Sequence, residues 1–388
     1  MKLDWWRWKI TPFKGVLLAL FGIAVVVAVV RLFTGLGAVT GMNDSFPWAI
    51  WKTVHIIIFV PLGASGFTMA FVRYFTPGGA RYEQMMRRAV IWAAIAYLSA
   101  GASLAFDIGL PWRIANPLLF GGNLHSPLFE VAWCMALYIM VLFFENVPRV
   151  MERQKRQWVH KLEHTLHKIM PGFVLFGVLL STMHQSSLGA IFMIAGKRLD
   201  PLWYHPWINY TFLLTAIASG LAVMIMIEGW SNHYYKTTFQ TNLLSKFAPW
   251  IAGLLAVTLL WRISSMVTEG TLSLVMTSGF KSLLWWGEII VGYLLPIGLF
   301  LSPLRQNRWG LVAGAMATIG GMISLRANTA MTGLWEALNA SYVPKLPEVL
   351  FSVGAVAGTL VIYNWFVETL PAILGRDQEK QGLAQAGD

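Results

Sequence analysis

Residues 170–195 read MPGFVLFGVLLSTMHQSSLGAIFMIA, an apolar run that histidine, glutamine and hydroxyl side chains interrupt near its middle. About 20 predominantly apolar residues are enough for an α-helix to cross the hydrocarbon core of a bilayer. Polar side chains at this depth are costly to bury, and they are rarely present without a functional reason. We therefore predict a transmembrane helix here, with a functional site formed around His184, Gln185 and Ser187.

The composition extends the prediction to the whole chain. Of the 388 residues 56% are apolar and only 12% are charged, unlike a soluble domain. Apolar runs recur at 15–37, 47–72, 88–110, 127–147, 170–195, 209–229, 249–268, 282–302, 309–328 and 347–370. We expect an all-α integral membrane protein with ten transmembrane helices, forming a single polytopic domain over residues 1–388. Residues 1–14 would lie at the interface, 15–370 would form the membrane region, and 371–388 would be a polar cytoplasmic tail.

Basic residues in the loops predict the orientation, because cytoplasmic loops carry an excess of Lys and Arg. With the N-terminus inside, the inner segments hold twenty Lys and Arg residues and the outer loops hold five. Both termini are therefore expected in the cytoplasm, in a multi-pass protein of a bacterial or archaeal cytoplasmic membrane. The same bias accounts for most of the net charge of +11, so no nucleic acid partner is needed.

Metal centres are not expected in this chain. Cys134 is the only cysteine, and an iron–sulfur cluster normally needs four thiolates. A single thiol also forms no internal disulfide. The three histidines of the basic loop 148–168 stand at helical spacing but lack acidic or cysteine partners, so we predict no zinc site there.

The depth of the ionisable residues indicates one shared site. With both termini inside, seven spans carry such groups in their outer halves: Lys52, His55, Asp107, Glu130, His184, Arg262, Glu288 and Arg326. The inner half shows little beyond Glu145, Glu228 and Glu368, which we expect near the interface. Lys52 is close enough to the surface for its ammonium group to reach water.

A polar pocket inside the membrane suits a lipid-soluble carrier of two electrons and two protons. The carbonyl oxygens of a quinone need hydrogen-bond donors, and its protons need titratable groups. Histidine can serve in both ways near neutral pH. A second interpretation stays open, in which Asp107 and Glu130 only neutralise Arg262 and Arg326 and His184 only bonds a neighbouring helix.

Several motifs of the chain also resemble those of a known protein family. The chain contains Phe46-Pro47-Trp48-Ala49-Ile50-Trp51, Asp107-Ile108-Gly109, Leu128-Phe129-Glu130 and Thr182-Met183-His184-Gln185-Ser186-Ser187. This set resembles the polysulfide reductase/NrfD superfamily of membrane subunits, and within it the HybB-like ten-span branch typified by the hydrogenase-2 membrane subunit. The similarity is strong over the first five spans and weaker over the last five.

The resemblance implies a quinone-interacting subunit, with menaquinone as the expected quinone and without haem, flavin or iron–sulfur groups of its own. It implies two four-helix bundles with flanking helices, and a ferredoxin-like iron–sulfur partner on the outer, periplasmic face. Multihaem cytochrome c or hydrogenase subunits are further partners that it suggests, together with membrane lipid. Where the branch tends to have an acidic residue in the second span, this chain has His55.

These inferences combine into one hypothesis for an oxidoreductase complex, in which this chain is not active alone. His184 donates to a quinone oxygen, Glu130 or Asp107 exchanges the proton, and Arg262 and Arg326 adjust those carboxylates by charge. Gln185, Ser187, His55 and Glu288 complete the binding region, and coupling to proton translocation stays open. Three alternatives remain: a cytochrome b, a secondary transporter or ion channel, and a passive anchor for redox partners.

Overall fold

The computed structural model of the chain describes residues 8–43, 46–151, 157–336 and 342–370. Within these ranges the fold is helical, and extended pairing is limited to an isolated bridge between Asn43 and Phe46. Residues 1–7 of the expected interfacial segment and the expected tail 371–388 lie outside the described residues. Ten helices are long and apolar enough to cross a membrane, which confirms the predicted number of spans.

The ten long helices are labelled α1 to α10 in chain order. Their bounds are Pro12–Thr34, Ile50–Phe75, Glu83–Asp107, Pro127–Met151, Gln157–Ala195, Ile208–Tyr235, Ala248–Thr268, Phe280–Leu301, Arg308–Trp335 and Leu346–Thr369. Part of the basic loop predicted between the fourth and fifth spans is thus helical, because α5 begins at Gln157. We call the end that carries the loops after α1, α3, α5, α7 and α9 the outer end, following the charge distribution.

The helices form two bundles of four. In the first bundle α2, α3, α4 and α5 pack in a closed ring, and α6, α7, α8 and α9 pack in the same way in the second. The bundles meet where α6 packs on α2 and α5 and where α9 packs on α2. Helix α1 pairs with α10, and this pair lies against α3. The expected arrangement of two four-helix bundles with flanking helices is confirmed.

Three of the spans contain short π-helical segments. These are Thr53–Ile58 in α2, Ile290–Leu294 in α8 and Asn328–Thr332 in α9. A π turn inserts an extra residue into a helix and frequently occurs at functional sites. Here the three segments contain or border the polar residues His55, Glu288 and Arg326, so the irregular backbone coincides with the predicted site region.

Small residues allow the helices to approach closely. Gly292 of α8 faces Gly321 of α9, and a methyl group added to Gly292 would lie 2.4 Å from the Cα of Gly321. Gly220 of α6 meets the backbone of Ala64 in α2 in a similar way. Lipid tails are as apolar as the side chains, so helices associate in membranes largely through such packing.

Gly292→Ala is expected to lower the free energy of unfolding by about 1–3 kcal/mol, because the added methyl group has no room and α8 must move away from α9. The measurement is the thermal unfolding of the purified protein in one detergent. Gly287→Ala is the matched control in the same helix, since nothing lies within 4 Å of a side chain at that position. Equal stability of the two variants would contradict the packing assignment.

Candidate functional site

His184 lies at the centre of a buried hydrogen-bonded cluster inside the first bundle. Its Nδ1 is 2.9 Å from the carbonyl oxygen of Leu180, and its Nε2 is 2.6 Å from the hydroxyl oxygen of Tyr97. Because a carbonyl oxygen only accepts, Nδ1 carries the proton and the Tyr97 hydroxyl donates to Nε2. Gln185 donates to the same hydroxyl at 3.4 Å, and Ser181 lies 3.4 Å from it. We call Tyr97, Ser181, His184 and Gln185 the histidine cluster.

The histidine cluster lies near mid-depth and is closed to solvent. From His184 to the end of α5 at Ala195 the helix rises roughly 16 Å, about half the thickness of the hydrocarbon core. The His184 side chain is fully buried, and both ring nitrogens have protein partners. In this geometry the only N–H of His184 is held by Leu180, so the expected donation from His184 to a quinone oxygen stays a prediction that this arrangement does not support.

Arg326 lies between the two bundles. Its Nη2 donates to the carbonyl oxygen of Phe212 at 2.6 Å, and the guanidinium carbon lies 3.8 Å from the centre of the Phe212 ring. Its Nε and Nη1 have no hydrogen-bond partner among the residues that the structure describes. The guanidinium also interacts electrostatically with His184 and Tyr97. Arg326 thus adds a positive charge to the surroundings of the histidine cluster.

Arg262 and Glu288 form a buried ion pair in the second bundle. Arg262 Nη1 donates to Glu288 Oε1 in a short contact. Glu288 Oε2 accepts from Trp203 at 3.0 Å and from Asn328 at 2.9 Å. Both charged side chains are almost completely buried. Every oxygen of the carboxylate is therefore bonded, as a charge in the membrane interior requires.

His205 lies beside this pair, in the segment between α5 and α6. The side chain is buried, and neither ring nitrogen has a hydrogen-bond partner in the described part of the chain. Burial, assisted by the charge of Arg262, lowers the pKa of His205 to about 3. The ring is therefore neutral at physiological pH. Nothing in the sequence distinguished this histidine, because it lies outside the apolar runs.

A second polar group lies at the outer rim of the first bundle. Lys52 Nζ is 3.1 Å from Asp107 Oδ2, so Lys52 forms an ion pair instead of only reaching towards water. His55 is buried one turn further in, with its ring 5.4 Å from that of Phe351 and its Nε2 without a partner in the described ranges. We call Lys52, His55 and Asp107 the rim group.

An apolar groove on the lipid-facing side contains two neighbours of the rim group in its lining. It lies between α1, α3 and α10 and has a volume of about 440 Å³. Ser103, Phe106 and Phe351 line it, and Asp107 follows Phe106 directly in the chain. The remaining lining is almost entirely aliphatic or aromatic. The groove is apolar, and Phe351 in its lining contacts the His55 ring, which suits an amphiphile with an apolar tail.

The predicted carboxylate–arginine pairs are not formed. Asp107 pairs with Lys52, whereas Arg262 pairs with Glu288. Glu130 lies in the first turn of α4, partly exposed, with no side-chain hydrogen bond in the described structure. The hypothesis that Arg262 and Arg326 adjust Asp107 and Glu130 is therefore wrong. The sequence gives the depth of each residue but not the direction in which its side chain points around the helix.

Ser187 and the inner-half glutamates also differ from expectation. The Ser187 hydroxyl donates to the carbonyl oxygen of Met183 in its own helix and joins no cluster. Glu228 is buried within the protein: it is 2% exposed and lies 2.5 Å from Arg88. Glu368 binds Lys14 at 2.7 Å. The inner end therefore also holds buried charges, and the skew towards the outer half is smaller than the sequence indicated.

Comparison with known proteins identifies the family. Residues 38–335 match the family described as Polysulphide reductase, NrfD. The chain belongs to the NrfD family. A relative from Escherichia coli K12 named "Probable Ni/Fe-hydrogenase 2 b-type cytochrome subunit" is 29% identical over 356 residues, covering 90% of each chain. A relative from Nitratidesulfovibrio vulgaris named "Menaquinone reductase, integral membrane subunit" is 28% identical over 383 residues, covering 90% of this chain and 89% of the relative.

Family membership and the ten spans make the chain a multi-pass membrane protein of the HybB-like type that its motifs resemble. Both named relatives are subunits of redox enzymes. The structure brings His184 and Gln185 together, joins Arg262 to Glu288, and leaves Ser187 and Glu130 apart from both groups.

Sequence reasoning missed Tyr97, the hydrogen-bond donor to His184. A tyrosine within an apolar span is common, and only its contact with His184 distinguishes it. The sequence also gave no role for Glu348. This side chain is fully buried and accepts hydrogen bonds from Tyr342 at 2.8 Å and from the amide of Gly41 at 2.9 Å. The signal was present, since an acidic residue opens an apolar span there.

The Arg262–Glu288 pair is expected to be strongly coupled. Glu288→Gln or Arg262→Gln alone should cost about 3–5 kcal/mol of stability, because each leaves the other charge buried without its partner. The double variant should cost much less than the sum of the two. Thermal unfolding of the four proteins of this cycle measures the coupling.

The partly exposed pair of Asp200 and Lys281, 2.6 Å apart at the outer end, is the control for this cycle. Breaking it with Asp200→Asn, which leaves Lys281 paired with Glu336, should cost no more than about 1 kcal/mol. Additive costs at Arg262 and Glu288 would contradict a direct pair.

Proposed function

We propose that this chain is the quinone-reactive membrane subunit of a multisubunit redox complex. It exchanges electrons between a menaquinone-type quinone in the outer half of the membrane and an iron–sulfur subunit docked at the outer face. The observation that carries the proposal is the groove of about 440 Å³ that runs along α3 and is lined by Phe106 and Phe351, the neighbours of Asp107 and His55. The named menaquinone reductase relative supports the same ligand.

The groove and the rim group match the two parts of a quinone. An isoprenoid tail is apolar and suits the lining of α1, α3 and α10, whereas the head group needs hydrogen bonds for its two oxygens. His55 has an unpartnered Nε2 and Asp107 an unpartnered Oδ1, and their neighbours Phe351 and Phe106 line the groove. A head group there lies near the outer surface, within reach of a partner.

Oxidation of a quinol releases two electrons and two protons, and reduction of a quinone takes up the same number. We assign the proton exchange to Asp107, whose carboxylate reaches the rim while Lys52 compensates its charge. The electrons require a centre on another subunit, because the single cysteine of this chain cannot hold an iron–sulfur cluster. Arg31 donates to the carbonyl oxygens of Phe106 and Ile108 and fixes the backbone on either side of Asp107.

The histidine cluster is proposed to hold protons at mid-depth without touching the head group. Tyr97 donates a 2.6 Å hydrogen bond to His184 Nε2, so the two side chains form a buried hydrogen-bonded link between α3 and α5. If proton translocation is coupled to turnover, Tyr97 and His184 would carry protons further inward from the rim group. This coupling stays a prediction.

A b-type haem is the second candidate cofactor, since one relative is named a b-type cytochrome subunit. Axial ligation of haem uses histidine nitrogens. His184 fits this poorly, because Tyr97 and Leu180 occupy both of its nitrogens. The absence of haem is therefore a prediction, and an absorption spectrum of the purified chain without a Soret band is the expected result.

Asp107→Asn is expected to lower quinone-linked electron transfer by about 100-fold, because a general acid or base contributes roughly that much to a proton-coupled step. The assay follows oxidation of a menaquinol analogue by the purified complex with its native partners. The activity of the partner subunits with a soluble dye should not change. A passive anchor would show no loss.

Asp200→Asn is the matched control. It also removes a carboxylate that is paired with a lysine at the outer end, but this pair belongs to the second bundle. Its quinone-linked rate should equal that of the unaltered protein. A comparable loss in both variants would show that only surface charge matters, and it would remove Asp107 from the reaction.

Tyr97→Phe is expected to lower the quinone-linked rate and to change its pH profile, while the apparent affinity for the quinol analogue stays the same. The variant removes the donor to His184 Nε2 but does not alter the groove or the rim group. The measurement is the rate as a function of pH and of quinol concentration in the same complex. A weaker affinity with an unchanged pH profile would mean that the head group reaches Tyr97 directly.

A further inference from the structure

Phe351 lies at the boundary between the groove and the rim group. It belongs to the second turn of α10, and its ring forms part of the groove lining. The same ring contacts two residues of α2 that are not part of this lining. It stacks on the Trp51 indole with 3.6 Å between the ring centres, and it meets the His55 ring edge-on at 5.4 Å. Phe351 is thus a direct link between the groove and two residues that the groove does not reach.

Both of these neighbours carry a polar atom without a partner. Trp51 Nε1 and His55 Nε2 form no hydrogen bond with the residues that the structure describes, and both side chains are at most 2% exposed. An unpaired polar atom inside a membrane protein is costly, because no water replaces the missing bond. The Phe351 ring covers both side chains and offers their nitrogens no conventional hydrogen bond. Displacing this ring therefore removes the cover between the groove and these two residues.

The backbone on both sides of this ring is held in place. Glu348, one turn earlier in α10, is fully buried and accepts hydrogen bonds from the amides of Trp51 at 3.2 Å and Gly41 at 2.9 Å. These bonds join the start of α10 to the start of α2, so the two helices do not separate easily. Uncovering the two nitrogens therefore requires rotation of the Phe351 side chain between staggered conformations. The groove, with a volume of about 440 Å³, provides space for that rotation.

We infer that the Phe351 ring is a gate that controls access from the groove to Trp51 and His55. The structure has the gate closed. When the ring turns towards Phe106, whose ring centre is 6.2 Å away in the same lining, it stays in apolar surroundings. A quinone oxygen can then meet His55 Nε2 while the isoprenoid tail remains in the groove. The ligand class rests on the proposed function, whereas the gate follows from the packing of the rings.

Ordinary core packing is the alternative role for this ring. A phenylalanine that is 5% exposed where helices meet needs no further explanation by itself. Phe351 differs from such a residue because it borders a cavity and also covers neighbours with unpaired nitrogens. Stacking on Trp51 favours the closed arrangement by a factor of only about 2–10. A hydrogen bond from a ligand to His55 contributes a similar factor, so ligand binding can shift the ring.

The test measures how fast His55 reacts with diethyl pyrocarbonate in the native complex, with the modified peptide quantified by mass spectrometry. This reagent is small enough to enter the groove, and it modifies unprotonated imidazole nitrogens. Phe351→Ala should raise the rate at His55 by about tenfold, because access no longer requires the stack on Trp51 to break. Phe351→Leu, which keeps an apolar side chain, should raise it less. His184 should stay unreactive in each folded variant, since both of its nitrogens are bonded.

Phe366→Ala is the matched control, because it removes another ring of the groove lining from the same helix and leaves the contact between Phe351 and His55 in place. Its rate at His55 should equal that of the unaltered complex.

Equal rates at His55 in Phe351→Ala and in this control would overturn the gate and leave the proposed function standing. If His184 reacts in the alanine variant, that variant is unfolded, and the same comparison with Phe351→Leu decides. Faster modification that a menaquinone analogue slows supports both the gate and its ligand. Faster modification that the analogue does not change supports the gate and counts against the proposed function.

Discussion

The ion pair of Arg262 and Glu288 illustrates the constraint on which the structure depends, which is that a polar atom inside a membrane must find its partner within the protein. Glu288 binds Arg262, Trp203 and Asn328, and these residues come from α7, α9 and the segment before α6. One carboxylate thereby fixes the relative positions of several elements of the second bundle. Tyr97 and His184 join α3 to α5 in the first bundle, and Glu348 ties the start of α10 to Gly41 and to the start of α2.

These bonds do not satisfy every buried polar atom of the described residues, and some exceptions are informative. His55 and Asp107 each keep a free atom next to Phe351 and Phe106, which line one apolar cavity, and Tyr363, which lines a second, keeps one as well. Both cavities border the α1–α10 pair, which packs on the bundles from the outside. The flanking helices therefore do more than extend the fold, because they convert the exposed side of α3 into two lipid-accessible clefts.

The number and type of helices could be predicted from the sequence because hydrocarbon thickness sets the length of each apolar run. The depth of His184 or Glu288 followed from its position in its run. Partners could not be predicted in the same way. Pairing depends on the rotation of each helix about its axis and on which helices are neighbours, so Asp107 was assigned to Arg262 or Arg326 when Lys52 lies beside it. Arg88 of α3 pairs with Glu228 of α6, and the position of neither residue in its run predicted this pair.

The π-helical segments bear on how the length of these helices can change during evolution. A π turn holds one residue more than an α turn, and each residue of an α-helix turns the chain by about 100°. An inserted residue within α2, α8 or α9 therefore changes which face the outer part of the helix presents, unless a π turn absorbs it. His55, Tyr293 and Asn328 lie within such turns. In an alignment with relatives, single-residue insertions and deletions should therefore occur mainly in these three segments. A length change there reorients the local polar side chains and leaves the rest of the bundle in place.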